Sequence, residues 1–142
     1  VTALDIIADE SLLTIEDGQR LLDLGGVQVF NVRIAKNGGL LPALRLAHTA
    51  LAAGRDVQLG CLVGETSILT AAGIAFLSVC PRVRFVEGAF GSLLLKGDVA
   101  VRPIWFGFGG RVASREHFGL GVDVDPNSLE RFQAEPPVRI QF

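Results

Sequence analysis

Ala8-Asp9-Glu10-Ser11 closes one apolar run, and Arg33-Ile34-Ala35-Lys36-Asn37-Gly38-Gly39 closes the next. Asp9 and Arg33 lie 24 residues apart, the length of a strand end, a loop, a helix and a second strand. In an α/β barrel, polar residues at the C-terminal ends of successive strands point into one mouth, where the chemistry is done. A carboxylate and a cation one βα unit apart therefore face the same pocket.

Working outward, the same rhythm repeats. The run 3–8 is short and apolar enough for a buried parallel strand. Thr14, three residues before Asp17, opens an amphipathic segment, 15–24, that Gly25-Gly26 ends. The stretch 27–34 is β-branched and aromatic, a second strand. The Leu/Ala-rich 40–53 is a helix stopped by Gly54. A third strand over 56–62, a third helix over 67–79 and a fourth strand over 83–86 complete four βα units. Strands alternating with such helices predict parallel pairing with right-handed crossovers. From Phe90 onward, Gly91, Gly97, Gly107, Gly109, Gly110, Gly119 and Gly121 break the chain into short pieces. One late helical turn, 127–132, follows the entry pair Asp125-Pro126.

The fold class expected is therefore α/β: the C-terminal half of a (β/α)8-type, TIM-like barrel with a Gly-rich C-terminal tail. Residues 1–89 form the four βα units, and 90–142 form a tail that packs on the barrel or on a capping domain. Four units make half of an eight-stranded barrel, and the raw edges of such a half are apolar. The other half is expected from an N-terminal part of the same protein or from a second copy. The chain starts at Val1 on an apolar run and contains no Met among its 142 residues, which reads as a piece of a longer protein.

Bulk properties exclude several classes. A net charge of −2 offers no basic footprint for nucleic acid. No apolar stretch is long enough to span a membrane, and the N-terminus has no basic signal-type region. Two cysteines, Cys61 and Cys80, fit no metal spacing and suit a reducing, cytoplasmic setting.

The ordered pieces Ala8-Asp9-Glu10-Ser11, Arg33-x-x-Lys36-x-Gly38-Gly39, Gly60-Cys61-Leu62-Val63-Gly64-Glu65-Thr66-Ser67, Glu87-Gly88-Ala89-Phe90-Gly91 and Gly119-Leu120-Gly121-Val122-Asp123-Val124 cover almost the whole chain. In this order they resemble the C-terminal catalytic region of the enolase superfamily, in its muconate-lactonizing and mandelate racemase-like branch. The resemblance implies an enzyme, an isomerase or lyase, that holds a small carboxylate substrate against Mg²⁺. A base removes the proton next to that carboxylate and the enolate is stabilised, with cycloisomerase- or dehydratase-like outcomes. It also implies that Asp9 is a Mg²⁺ ligand and that the first Lys of the second motif is the base. That Lys is replaced here by Arg33.

Each site residue has a plainer reading beside the functional one. Asp9 is a metal ligand or a loop carboxylate; hard cations prefer such oxygens. Glu10 holds a neighbouring cation or faces solvent. Arg33 stays protonated and is a poor base, so it clamps a carboxylate through two parallel hydrogen bonds or forms a salt bridge with Glu10 or Asp9. Lys36 is a loop charge, or takes over proton transfer if the strand end is displaced. Gly38-Gly39 binds an anion or makes a tight turn. Thr66 or Ser67 caps the third helix, with Glu65 lining the pocket. Glu87 also lines it, but sits one residue before the acidic position of the family, where a shift reverses the facing side. His48 and His117 have no partners at metal spacing, and Gly107-Phe108-Gly109-Gly110 lacks the strand and helix of a dinucleotide loop. Without the base Lys, one-base chemistry is favoured over racemisation or dipeptide epimerisation. A non-catalytic carboxylate-binding relative is the alternative from another class, and a homo-oligomer is expected.

Overall fold

The structure is a computed structural model that describes residues 4–88, 90–112, 117–136, 138 and 140. Four strands, β1 (Ile7–Ala8), β2 (Val29–Val32), β3 (Asp56–Leu59) and β4 (Phe85–Val86), form one parallel sheet in the order β1-β2-β3-β4. Helices α1 (Ile15–Leu24), α2 (Leu40–Ala52) and α3 (Ser67–Val79) connect them. The tail holds α4 (Gly91–Leu94), a 3₁₀ turn (Phe108–Gly110) and α5 (Pro126–Phe132).

The helices start and stop where local chemistry dictates. Thr14 and Asp17 form a reciprocal capping box on α1, and Gly25 ends it in the left-handed conformation at φ 72°. Helix α5 begins one residue before the expected 127, because Asp125 accepts from Asn127 N and Ser128 N while Pro126 needs no N–H partner. The strands are shorter than the apolar runs that announce them. Pairing, not hydrophobicity, sets their ends: β1 matches β2 only at Ile7↔Val29 and Ala8↔Phe30, and β4 matches β3 only at Gln58↔Phe85 and Leu59↔Val86. Of the expected first strand, Ala3 lies outside the described residues.

Strand β2 is buried on both faces, as a central parallel strand must be. Its outward residues Phe30 and Val32, with Ile34, join Val57 and Leu59 of β3 in a core against Ala43, Leu46, Ala47 and Ala50 of α2 and Ala72 and Phe76 of α3. On the other face lie the buried polar side chains of Asn31 and Gln58. The outer edges carry Leu4, Ile6, Phe85 and Val86 exposed.

The tail is tied to the barrel units at α3. Thr66 is the N-cap residue, yet its side chain makes no capping bond. Asp98 does that work instead, accepting from Ser67 N (2.9 Å) and Ser67 Oγ (2.7 Å). Ser67 Oγ in turn accepts from Ile104 N at 2.8 Å. Nearby, a Cβ on Gly91 would stand 1.8 Å from the Glu65 carbonyl oxygen, so only glycine lets α4 approach this loop. Replacing an N-cap acceptor by alanine typically costs about 1–2 kcal/mol. Asp98→Ala is therefore expected to lower stability by about that amount, read as a lower urea midpoint with an unchanged slope.

Candidate active site

Asp9 follows β1 directly, and Arg33 follows β2. Between them the β2–α2 loop folds back through Asn37, a residue the motif reading passed over. Asn37 Oδ1 accepts from Arg33 N at 2.8 Å, while its Nδ2 donates to the carbonyls of Leu12 (2.9 Å) and Leu13 (3.0 Å). One buried amide thus staples the loop after β1 to the loop after β2. Gly38 and Gly39, at φ 84° and 110°, make the tight turn that returns the chain to α2.

This staple brings four charges together. Arg33 Nη2 donates to Asp9 Oδ1 in a short ion pair and to Glu10 Oε1 at 2.9 Å. Lys36 Nζ donates to the Asp9 backbone oxygen at 2.7 Å and to Asp9 Oδ1 at 3.0 Å. Arg33 and Lys36 are largely buried, with side chains 14% and 8% exposed, whereas Glu10 is 77% exposed. Burial alone would push the Asp9 carboxyl up. The hydrogen bonds and charges of Lys36 and Arg33 outweigh it and hold the group below the usual carboxylate range. The Arg33 guanidinium, disfavoured by burial, is held charged by Asp9 and Glu10.

Glu65 and Glu87 lie on the next two strand ends. Glu87 N donates to Leu59 O, which places Glu87 opposite Gly60 and on the same face as Gln58. Gln58 Nε2 donates to Glu87 Oε1 at 2.9 Å and Cys61 N to Oε2 at 3.1 Å. Glu65 Oε1 accepts from Leu62 N at 2.7 Å. Both glutamates line a cavity of about 220 Å³ with Leu59, Cys61, Leu69 and Phe106, whereas Asp9, Arg33 and Lys36 do not line it. Burial pushes the Glu65 carboxyl up, against the pull of the Leu62 N–H and of Arg33.

Among the described residues no group of three or more His, Cys, Asp and Glu side chains is placed to hold a metal ion. Asp9 is the strand-end carboxylate that fits a hard cation: an oxygen donor, partly exposed, kept ionised by its neighbours. No helix of the described residues is long and apolar enough to cross a membrane. Phe108–Gly110 is a 3₁₀ turn with no strand before it.

Residues 1–128 match the family described as enolase C-terminal domain-like. The chain belongs to that family, and its fold is the C-terminal barrel region of the enolase superfamily. It is 38% identical over 121 residues to the L-Lys-D/L-Arg epimerase of Methylococcus capsulatus, covering 82% of this chain and 32% of that protein. It is 33% identical over 127 residues to muconate cycloisomerase 1 of Pseudomonas putida, covering 89% and 33%. The structure of muconate lactonizing enzyme from Pseudomonas putida superposes with a TM-score of 0.81 at 34% identity, over 89% of this chain and 35% of that one. The chain spans about a third of the length of the relatives it matches.

Asp9 and Glu65, the shifted carboxyls at these strand ends, have opposite pH signatures. Asp9, with its folded value lowered, adds stability above its ordinary 3.8 and loses it as pH falls through the folded value. Glu65, raised, binds more protons folded than unfolded, so stability increases as pH falls from its folded value toward 4.5. Glu65→Gln keeps an acceptor for Leu62 N and should flatten that increase. Denaturant unfolding in steps from neutral pH to pH about 4 reads it.

Proposed function

We propose that the protein carrying this chain removes the proton next to a substrate carboxylate and stabilises the enolate that forms, with a cycloisomerase- or dehydratase-like outcome. The observation that carries this reading is the convergence of Asp9, Glu10, Arg33 and Lys36 at neighbouring strand ends. The relatives are cycloisomerases and epimerases, and those activities belong to proteins about three times this length.

Mg²⁺ is the cofactor proposed, with Asp9 as one ligand and the remaining carboxylates coming from outside the described residues. Bound there, it would neutralise charge that builds on the substrate carboxylate as the proton leaves. The side chains of this chain have their own tasks. Lys36 holds Asp9 by its carboxylate and its carbonyl, fixing the oxygen in direction. Arg33 cannot act as a base while it stays protonated. It binds the substrate carboxylate instead, and the exposed Glu10 gives up its place on Nη2 to that carboxylate. Glu65 and Glu87 border the pocket beside the mouth. The proton goes to a base on the other half of the barrel, which also covers the exposed edges at Leu4, Ile6 and Phe85. Assembly as a homo-oligomer is part of the same proposal.

A second reading, epimerisation, is favoured by the 38% identity to an epimerase. It needs a base on each face of the substrate, and Arg33 removes one. Two experiments on the full-length protein test these roles. Asp9→Asn should weaken Mg²⁺ binding by at least about tenfold in titration calorimetry; unchanged affinity removes Asp9 from the site. Arg33→Lys keeps the charge but loses the fork, so muconate, a carboxylate probe, should bind roughly 1–3 kcal/mol more weakly. The same variant restores a lysine at the family's base position. New deuterium exchange at the α-carbons of the dipeptide L-Lys-L-Arg would favour the epimerase geometry. Weaker binding without exchange supports the clamp, and no change in either makes Arg33 structural.

A further inference from the structure

Strand β2 carries one polar side chain among apolar neighbours. Asn31 lies between Phe30 and Val32 and is 3% exposed. Its Oδ1 is buried and has no hydrogen-bond partner among the described residues, and the same is true of Arg33 Nε, two residues on and just past the strand end. Residues two apart on a strand project from one face. An orphaned acceptor and an orphaned donor therefore share the inner face of β2, and leaving both unpaired is costly.

Gly60 shows that Asn31 Oδ1 and the stem of the Arg33 side chain converge. It lies on β3's extension, its N–H donating to Val32 O at 2.8 Å. A Cβ built on Gly60 would stand 2.2 Å from Asn31 Oδ1 and 3.0 Å from Arg33 Cγ. The amide oxygen occupies the volume that any other residue at position 60 would fill, and the arginine stem borders the same point.

We propose that Asn31 is a positioning residue for Arg33: its Oδ1 accepts the Arg33 Nε–H, directly or through one water molecule, in space that Gly60 leaves open. The guanidinium is planar, so holding two of its nitrogens fixes the plane. Nη2 is held by Asp9 and Glu10. With Nε held by Asn31, the edge formed by Nη1 and Nη2 faces the mouth in one orientation. A carboxylate is then met by a fork already set, and the side chain loses little freedom on binding. The value of this to function rests on the clamp reading of Arg33; the contact itself does not.

The test uses ¹⁵N-labelled full-length protein and the Arg33 Nε–Hε resonance, assigned by its absence in Arg33→Lys. Asn31→Leu removes the acceptor at similar volume and should speed solvent exchange of Hε by about tenfold or more. Asn31→Asp restores an acceptor and should return slow exchange. Exchange in Asn31→Leu within a factor of about two of wild type would overturn the proposal. Should Asn31→Leu fail to fold, a crystal structure of the wild-type protein decides. Oδ1 within about 3.2 Å of Nε, or one water bridging them, upholds the contact; Oδ1 taken by another donor sinks it. The carboxylate titration of Arg33→Lys tests the clamp separately, so either idea can fail alone.

Discussion

The alternation of strand β2 is the constraint on which the rest of the molecule depends. Both of its faces are buried, so each residue has one permitted direction. Phe30 and Val32 face the helices, while Asn31 faces the other way with Arg33 two residues on. The helix layer is packed so closely that a Cβ on Gly18 would meet Leu46 Cδ2 at 3.0 Å and Phe30 Cε2 at 3.3 Å. A slip of one residue would drive an arginine and an amide into that layer and an aromatic ring into the mouth. Core packing therefore aims Arg33; the salt bridges only finish the placement.

Charge balance explains why the cluster tolerates its partial burial. Two carboxylates and two cations meet at the strand ends, so no charge is left alone. The balance is lopsided in exposure. Asp9 is shared by two largely buried cations, whereas Glu10 reaches out into solvent. A charge held at the surface is the cheaper one to replace. An arginine in such a setting is fixed in protonation and fixed in geometry, where a lysine would be fixed in neither.

The helices were legible because their signals are local. Thr14, Asp17, Gly25 and Pro126 act on backbone groups within a few residues of themselves. The meeting of Asp9 with Arg33 was legible too, from the βα spacing and the common direction of strand ends. Less could be read where partners come from afar. The facing side of Glu87 depends on the β3–β4 register, which no local pattern encodes. Asn37 bonds backbone carbonyls 24 and 25 residues away, and backbone carbonyls carry no sequence signature. Thr66 looks like a helix cap by type, but Asp98, 31 residues beyond Ser67, takes the bonds. Asn31 stands out in its strand as an isolated polar residue, a signal that says something is unusual without saying what.

The way α1 and α3 are capped also sets an order of events. Helix α1 closes its first turn with Thr14 and Asp17, groups that are in reach as soon as that segment leaves the ribosome. The first turn of α3 has no such provision. Its leading donor, Ser67 N, stays open until Asp98 arrives, after the fourth strand and the short α4 have been made. Loop closure of that length precedes the reward it brings. The N-terminal end of α3 and the loop that carries Glu65 thus belong to the last part of the unit to consolidate, and the first to loosen when the tail is disturbed.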